Sequence, residues 1–262
     1  TYCGAGQGIV VVPFILSGAM GPVTTAASVA QALAEAMACC AFAQLVRPGA
    51  PFILGNFLSS MSLKSGAPTF GMPEPVMSNY AIGQLARRLR LPLRCGGGLT
   101  ASKLPDAQAA AESADSMHST ALAGANFVLH SAGWLESGLV TSFEKLLIDA
   151  DRLGAYQVML SGMAVDENAL GRQAFVEIEP AAHYLGSAHT MANYQTAFYE
   201  ACLSDSESFE QWVDKGEMDM PVRANGLMKD MLAAYTAPPL DPAIDEELRA
   251  YITQRKEVMP DA

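Results

Sequence analysis

Charged residues are scarce in this 262-residue chain, at 16% of the total, and positive residues are scarcer than negative ones. Sixteen Lys and Arg stand against 27 Asp and Glu, which gives a formal net charge of −11 at pH 7. Nucleic-acid backbones and anionic membrane surfaces need clustered positive charge, so the composition argues against both as partners. Half of the residues are hydrophobic, which excludes a disordered chain.

Cysteine and histidine are also rare, and neither is spaced for disulfide or metal chemistry. The five Cys are scattered, odd in number and without a CxxC pair, so we expect a reducing, cytoplasmic environment. None of the four His has metal-ligand spacing to Cys or to another His, which predicts no metal site. The chain begins at Thr1 without a basic segment, so we expect no signal peptide and a processed or truncated start.

One apolar segment, residues 23–46, is long enough to span a bilayer. Gln31, Glu35 and Gln44 interrupt it, and it is rich in Ala rather than Leu. Because a charge in the centre of a membrane span is costly, this segment favours a buried helix of a globular protein. We therefore expect no membrane partner.

Short apolar runs recur in the first half of the chain, and each is followed by small residues and an Ala-rich segment. The runs lie at residues 9–16, 51–54, 91–95 and 127–130. Runs that are apolar on both faces are typical of buried parallel strands. Helical period follows each run, at residues 23–46, 75–89, 106–123 and 142–153. Repeated βα units predict a parallel sheet, either an open doubly wound sheet or half of a (β/α)8 barrel of the TIM type.

The composition changes near Ser161 and becomes polar and acidic. Three helices are expected in this region, at residues 205–214, 221–235 and 243–257. We assign residues 1–160 to four βα units, and residues 161–262 to a helical C-terminal extension packed on them. Four strands leave two open sheet edges, so we expect a missing N-terminal half, a partner chain or a homo-oligomer.

Residues at the C-terminal ends of the predicted strands are the candidates for chemistry, since barrel sites are built there. His130 closes the fourth run and is followed by Trp134 and Glu136. A lone His is also a common core residue, so the strand-end position is what favours a functional role.

Three further groups of candidates follow the second and third runs. Gly96, Gly97 and Gly98 end the third run, where glycine lets a ligand approach the backbone, although a plain turn is the alternative. Asn56 ends the second run, and Glu74 follows what we expect to be a long loop from residue 57 to 73. Loops of that length are often functional.

Several segments together resemble one family. They are SGAMGPVT at 17–24, QLVRPGAP at 44–51, KSGAP at 64–68, PDAQA at 105–109, HSAGWLESG at 130–138, SFEK at 142–145, AHT at 188–190 and LDPA at 240–243. This combination resembles the C-terminal half of the trimethylamine:corrinoid methyltransferase family, over essentially the whole chain.

The resemblance implies a TIM barrel about twice this length. It also implies transfer of a methyl group from a methylated amine to the cob(I)alamin of a separate corrinoid protein, with no cofactor held tightly by this chain. The founding members carry pyrrolysine, which does not occur here, so the chain resembles the non-pyrrolysine branch. Some members of that branch demethylate quaternary amines such as glycine betaine.

Site roles follow from the strand-end positions, combined with the substrate chemistry that the resemblance implies. His130 and Glu136 are the catalytic candidates, and the substrate-binding candidates are Glu74, Gly96, Gly97, Gly98, Trp134 and Asn56. The faces of Trp134, Phe57 and Phe70 suit a quaternary ammonium, and the glycine amides or an Arg or Lys suit a carboxylate. Two alternatives stay open, a different barrel transferase or lyase and a truncated remnant that only binds a ligand or partner.

Overall fold

The computed structural model describes residues 1–259, and its centre is a four-stranded parallel sheet. In chain order the strands are β1 (Ile9–Val11), β2 (Phe14–Ser17), β3 (Phe52–Gly55), β4 (Phe57–Met61), β5 (Pro68–Thr69), β6 (Leu93–Gly96), β7 (Phe127–Leu129), β8 (Trp134–Leu135) and β9 (Val140–Thr141). The central sheet has the order β1-β3-β6-β7, and each neighbouring pair is parallel. The predicted parallel sheet is therefore confirmed, and within the described residues it is open rather than closed into a barrel.

A second sheet joins β2, β4 and β5, and the sequence did not predict it. The first apolar run divides near Pro13, which has no N–H to continue a ladder, so its two parts enter different sheets. The expected loop after Phe57 is wrong over β4 and β5. β4 is buried although it contains polar residues, so its sequence lacks the apolar pattern of a buried strand. Ser59 is buried, and its hydroxyl donates to the carbonyl of Thr69 at 2.5 Å.

The helices begin close to their predicted positions in the first half of the chain. They are α1 (Thr25–Val46), α2 (Pro73–Leu89), α3 (Ala107–Leu122), α4 (Phe143–Ser161), α5 (Glu167–Leu170), α6 (Arg172–Glu177), α7 (Ala188–Asn193), α8 (Phe209–Asp214), α9 (Met220–Ala234) and α10 (Pro242–Val258), with a 3₁₀ turn at Glu136–Gly138. α8 begins later than predicted because Ser208 forms a capping box there. The sequence did not predict α5, α6 and α7, since helices this short hardly show a period.

The two faces of the central sheet have different surroundings. One face packs against α1 and α2 through the buried side chains of Phe52, Leu54, Leu93 and Cys95. Arg94 lies between Leu93 and Cys95 in β6, so its side chain points to the opposite face of the sheet. Phe127 pairs in register with Arg94 and lies on that opposite face too. Val10, Phe127 and Leu129 on this opposite face are 40%, 43% and 40% exposed. The sheet therefore has one packed face and one open apolar face that also carries Arg94.

α1 buries only one of its faces. Its buried residues are Ser28, Val29, Ala32, Ala36 and Ala43. Phe42 and Leu45 are 69% and 84% exposed, so the expected buried helix is buried on one side only. By length and composition α1 is the one helix of the described chain that could cross a membrane, a test that core helices of globular proteins also pass.

The chain divides into two compact units, Thr1–Gly226 and Leu227–Ala262. The first unit contains the two sheets described above and a two-stranded antiparallel sheet of β8 and β9. α10 is the main element of the second unit. The boundary expected after residue 160 lies inside the first unit. The separate helical extension therefore stays a prediction.

Candidate active site

Five aromatic rings lie together near the carboxyl ends of the parallel strands. Phe57 follows β3, and His130 follows β7 directly, so the topology brings them to the same edge of the sheet. Their rings stack with centroids 5.3 Å apart, and Trp134 meets His130 edge-on at 5.0 Å. Phe14 and Phe70 flank Phe57 at 5.4 and 5.8 Å. We call these five residues the aromatic cluster, and it contains all three rings proposed from the sequence.

Arg94 of β6 lies against the aromatic cluster, and its side chain is almost fully buried, at 2% exposure. Its Nη2 contacts Nδ1 of His130 at 3.0 Å, its Nη1 donates to the carbonyl of Asn56 at 3.3 Å, and Cζ lies 5.3 Å from the centroid of Phe57. Its Nε has no hydrogen-bond partner. Burial lowers the pKa of Arg94, against a smaller raising effect from Cys95.

Sequence reasoning missed Arg94. The sign available in the sequence was one charged residue inside the otherwise apolar run at residues 91–95. In the structure both of its neighbours in the strand, Leu93 and Cys95, lie in the core. Buried charges are rare unless they are paired or functional, so such an interruption indicates a site.

His130 has an unusual backbone and a defined protonation state. Its φ is +57°, a left-handed conformation that is strained for a residue with a side chain and is frequent at functional sites. Because a guanidinium can only donate, Nδ1 accepts from Arg94 and the ring proton lies on Nε2. Burial, and secondly the charge of Arg94, lower the pKa of His130. His130 is therefore neutral at pH 7 and presents an N–H donor.

Asn56 is buried beneath the aromatic cluster, and its side chain is already engaged. Its Nδ2 donates to Oδ1 of Asn79 at 2.8 Å and to the hydroxyl of Ser78 at 3.2 Å. Its backbone carbonyl accepts from Arg94. Asn56 therefore positions Arg94, and its amide faces the protein rather than a ligand.

The glycine loop of Gly96, Gly97 and Gly98 is held from one side by α3. Its three carbonyls accept hydrogen bonds from the hydroxyls of Thr120, Ser116 and Ser113, at 2.6, 2.6 and 3.1 Å respectively. On the other side, a Cβ at Gly97 would lie 2.6 Å from Cα of Ser131, and one at Gly98 would lie 2.8 Å from its carbonyl oxygen. Glycine is therefore required for the close approach to the residue after His130.

A buried ion pair lies behind this loop. Nζ of Lys145, a residue only 1% exposed, donates to Asp149 at 2.5 Å and to the hydroxyl of Ser113 at 2.9 Å. Asp149 also accepts the backbone N–H of Gly133 at 2.9 Å. The pair ties α3 and α4 to the loop between β7 and β8, and the sequence showed nothing of it beyond an i,i+4 spacing.

The two acidic candidates lie outside these networks. Glu136 begins the 3₁₀ turn, and its backbone N–H donates to the carbonyl of Ser102 at 2.7 Å. Glu74 is exposed in the first turn of α2. Across residues 1–259 neither carboxylate forms a hydrogen bond or an ion pair, and their role in the site stays a prediction.

The largest cavities lie away from the aromatic cluster. Two spaces of about 460 and 510 Å³ adjoin α3 and α4, and a third of about 550 Å³ lies on α2 beside Met77 and Tyr80, whereas the space beside Asn56 and Phe57 holds about 20 Å³. We place the site by its chemistry rather than by volume, because the one unpartnered buried side-chain atom in the described chain is Nε of Arg94. No group of three His, Cys, Asp or Glu among those residues could hold a metal ion.

A sequence model described as trimethylamine methyltransferase (MTTB) matches residues 1–260. Glycine betaine methyltransferase of Desulfitobacterium hafniense strain Y51 is 36% identical over 98% of this chain and 54% of its own length. Trimethylamine methyltransferase MttB of Desulfitobacterium hafniense strain DSM 10664 / DCB-2 is 30% identical over 92% of this chain and 48% of its own. Trimethylamine methyltransferase MttB1 of Methanosarcina mazei is 30% identical over 94% and 50%.

The chain therefore spans about half the length of the curated relatives it matches. All three relatives carry the name of a methyltransferase. This favours an enzyme over a non-catalytic remnant.

Proposed function

The chain belongs to the trimethylamine methyltransferase family, and on that premise we propose that it forms part of an enzyme that demethylates a small quaternary or methylated amine. The methyl group passes to the cob(I)alamin of a separate corrinoid protein. We favour an amine of the glycine betaine type, because the relative of that name is 36% identical against 30% for the trimethylamine enzymes. The observation that carries the proposal is the aromatic cluster at the carboxyl edge of the parallel sheet.

The aromatic cluster suits a quaternary ammonium. Such a cation has no N–H to donate, so it is held by the negative faces of aromatic rings rather than by hydrogen bonds. Phe57, His130 and Trp134 are the rings that we assign to this role, and their centroids lie 5.3 and 5.0 Å apart from one ring to the next. A quaternary nitrogen leaves as a neutral amine, so the chain's residues need only hold and orient the substrate.

The acceptor arrives from outside this chain. Cob(I)alamin, when its own protein carries it, supplies the nucleophile for the methyl carbon. Phe57, His130 and Trp134 are half-buried rather than enclosed, which leaves a methyl group on a bound amine open to an incoming partner. We assign the residues of this chain to the amine and not to the cobalt, and we keep the cytoplasm as the compartment.

The site roles extend the same proposal. His130 contacts the substrate through its ring face, and Glu136 and Glu74 add negative charge at the rim. The carbonyls of Gly96 and Gly97 accept hydrogen bonds from α3. Because the N–H and C=O of a trans peptide point in opposite directions, the N–H groups of Gly97 and Gly98 point away from α3. Trp134 supplies the outer aromatic wall.

The open face of the central sheet supports a further part of this proposal. Val10, Phe127 and Leu129 are apolar and 40% or more exposed there, and both edge strands, β1 and β7, lack a neighbour on one side within residues 1–259. A closed parallel barrel would bury that face and remove both edges. We propose that this chain is the C-terminal half of such a barrel, with residues 161–262 as its helical extension.

Trp134→Ala tests the site, and Trp212→Ala is the matched control because it removes the only other Trp. The complete polypeptide encoded by the reading frame is mixed with glycine betaine and a corrinoid protein reduced to cob(I)alamin, and methylation of cobalt is followed by absorbance. We expect Trp134→Ala to lower kcat/KM by about 3- to 30-fold, the range of a cation–π contact. The control should stay within about twofold of wild type, since this is below one such contact. Equal loss in both variants, or no cobalt methylation by wild type with any methylated amine, contradicts the proposal.

A further inference from the structure

Arg94 is a buried positive charge without a negative partner. Its side chain is 2% exposed, and both of its hydrogen bonds go to neutral acceptors, on His130 and Asn56. None of the ion pairs in the described chain includes it. Its Nε–H is buried without any acceptor.

The other deeply buried cation of this chain is treated differently. Lys145 is 1% exposed and pairs with Asp149 and the hydroxyl of Ser113. Removing an unpaired charge from water is costly, so a fold that pairs one buried cation and leaves another unpaired has a reason at the second position. An anionic ligand that arrives at Arg94 would provide the missing partner.

The geometry of the guanidinium selects the kind of anion. Nε and Nη2 form one edge of the planar group, and two parallel N–H donors on such an edge match the two oxygens of a carboxylate. Nε is unpaired, and Nη2 has two hydrogens of which Nδ1 of His130 can take only one. A carboxylate that binds this edge in a bidentate manner has to displace a neighbouring side chain, because Nε is enclosed in the free protein, and His130 can keep its contact through the second hydrogen of Nη2.

The surroundings of Arg94 place a cation next to that anion. Cζ of Arg94 lies only 5.3 Å from the ring of Phe57, which also stacks on His130. A simple ammonium ion held on these rings would face an uncompensated positive charge and be repelled. A ligand that carries its own carboxylate turns this repulsion into attraction.

We infer that Arg94 binds the carboxylate of a zwitterionic quaternary amine and thereby selects betaines over methylated amines without a carboxylate. The carboxylate lies inward at Nε and Nη2, and the ammonium lies one or two carbons outward among Phe57, His130 and Trp134. The N-methyl groups then face the open side. This inference rests on the proposed function and adds to it a residue that determines specificity.

The test compares the affinity for glycine betaine with that for tetramethylammonium, measured by titration calorimetry on the complete encoded polypeptide. Wild type should bind glycine betaine at least about tenfold more tightly, as expected for a bidentate charged contact. Arg94→Met should lose about 10- to 100-fold in affinity for glycine betaine and gain affinity for tetramethylammonium, since both the contact and the repulsion are removed. Arg87→Met is the control, because Arg87 donates to the carbonyl of Ala123 on the helical side of the sheet, and it should leave the ratio unchanged.

Arg94→Lys separates charge from shape if Arg94→Met folds poorly. Lys keeps the charge but has no planar edge, so this variant should weaken glycine betaine binding and still reject tetramethylammonium. Wild type that binds both ligands equally, or an Arg94→Met variant that keeps the wild-type ratio, overturns the inference and leaves methyl transfer standing. Wild type that binds neither ligand and methylates no cobalt overturns the proposed function and this inference together.

Discussion

Arg94 and His130 show how one residue fixes the chemical state of another. The guanidinium donates to Nδ1, so the ring of His130 is neutral with its proton on Nε2. A neutral ring adds an aromatic face and a donor to the site without adding a second positive charge. His130 is therefore suited to contact a cation with its ring. Its Nδ1 is not available as a base, because it already accepts a hydrogen bond from Arg94.

The lowered pKa of His130 predicts a pH dependence of stability. Its pKa in the folded protein lies below the ordinary value of 6.5, so the folded state binds fewer protons than the unfolded state between the two values. The contribution of neutral His130 to the free energy of unfolding is therefore fully present above pH 6.5. It is lost as the pH falls from 6.5 through the pKa of the folded state. Urea unfolding of wild type and His130→Asn from pH 8 to 5 measures it, and Asn is chosen because it tolerates a left-handed φ.

We expect the difference in the free energy of unfolding, wild type minus variant, to shrink as the pH falls. A difference that is constant or that grows towards acid pH contradicts the neutral, buried ring.

The sequence could identify some of these residues and not others. His130, Trp134 and Phe57 follow predicted strands, and parallel strands end at a common edge, so their proximity could be predicted. Arg94 could be noticed only as a charge inside an apolar run, and its unpartnered Nε becomes visible only when the neighbouring strands are in place.

At the scale of elements, the strands were predictable where both faces are apolar. β3, β6 and β7 lie in such runs, whereas β4 contains serines and depends on β2 and β5 for its hydrogen bonds. The same limit applies to α5, α6 and α7, which are four to six residues long and have too few turns to show a pattern.

The packing of the glycine loop against the loop after β7 predicts a specific loss of stability. Gly97→Ala puts a Cβ 2.6 Å from Cα of Ser131, so backbone must move, at a cost of about 1–3 kcal/mol. Gly226→Ala is the control, because Gly226 lies within α9 with nothing near its Cβ position and should gain about 0.5–1 kcal/mol. Denaturant unfolding checks both, and a neutral Gly97→Ala would mean that the two loops are not in close contact.

At the scale of the whole molecule, the open sheet face is the feature that half a barrel would leave. Predicting the number of βα units needed only the repeat of apolar runs. Predicting what covers the sheet needs chain that lies outside these residues, since the relatives are about twice as long.

The open face predicts self-association of the 262-residue chain when it is expressed alone. Phe127 is 43% exposed on that face, and apolar surface of this kind drives association. In sedimentation velocity at micromolar concentration we expect dimers or larger species, and Phe127→Glu should shift them towards monomer. Phe198→Glu, at a side chain 88% exposed outside the sheet, should change nothing. A wild-type monomer contradicts the prediction.

The row of hydroxyls on α3 has a consequence for how such an enzyme could change its substrate. Each glycine carbonyl is fastened by a separate side chain, and none of the three fastenings belongs to the β ladder. Replacing one hydroxyl would remove the hydrogen bond to one glycine carbonyl and let the glycine loop move locally, while every strand keeps its register. Amines of different bulk could thus be accommodated through single changes on α3, without a change in the strands.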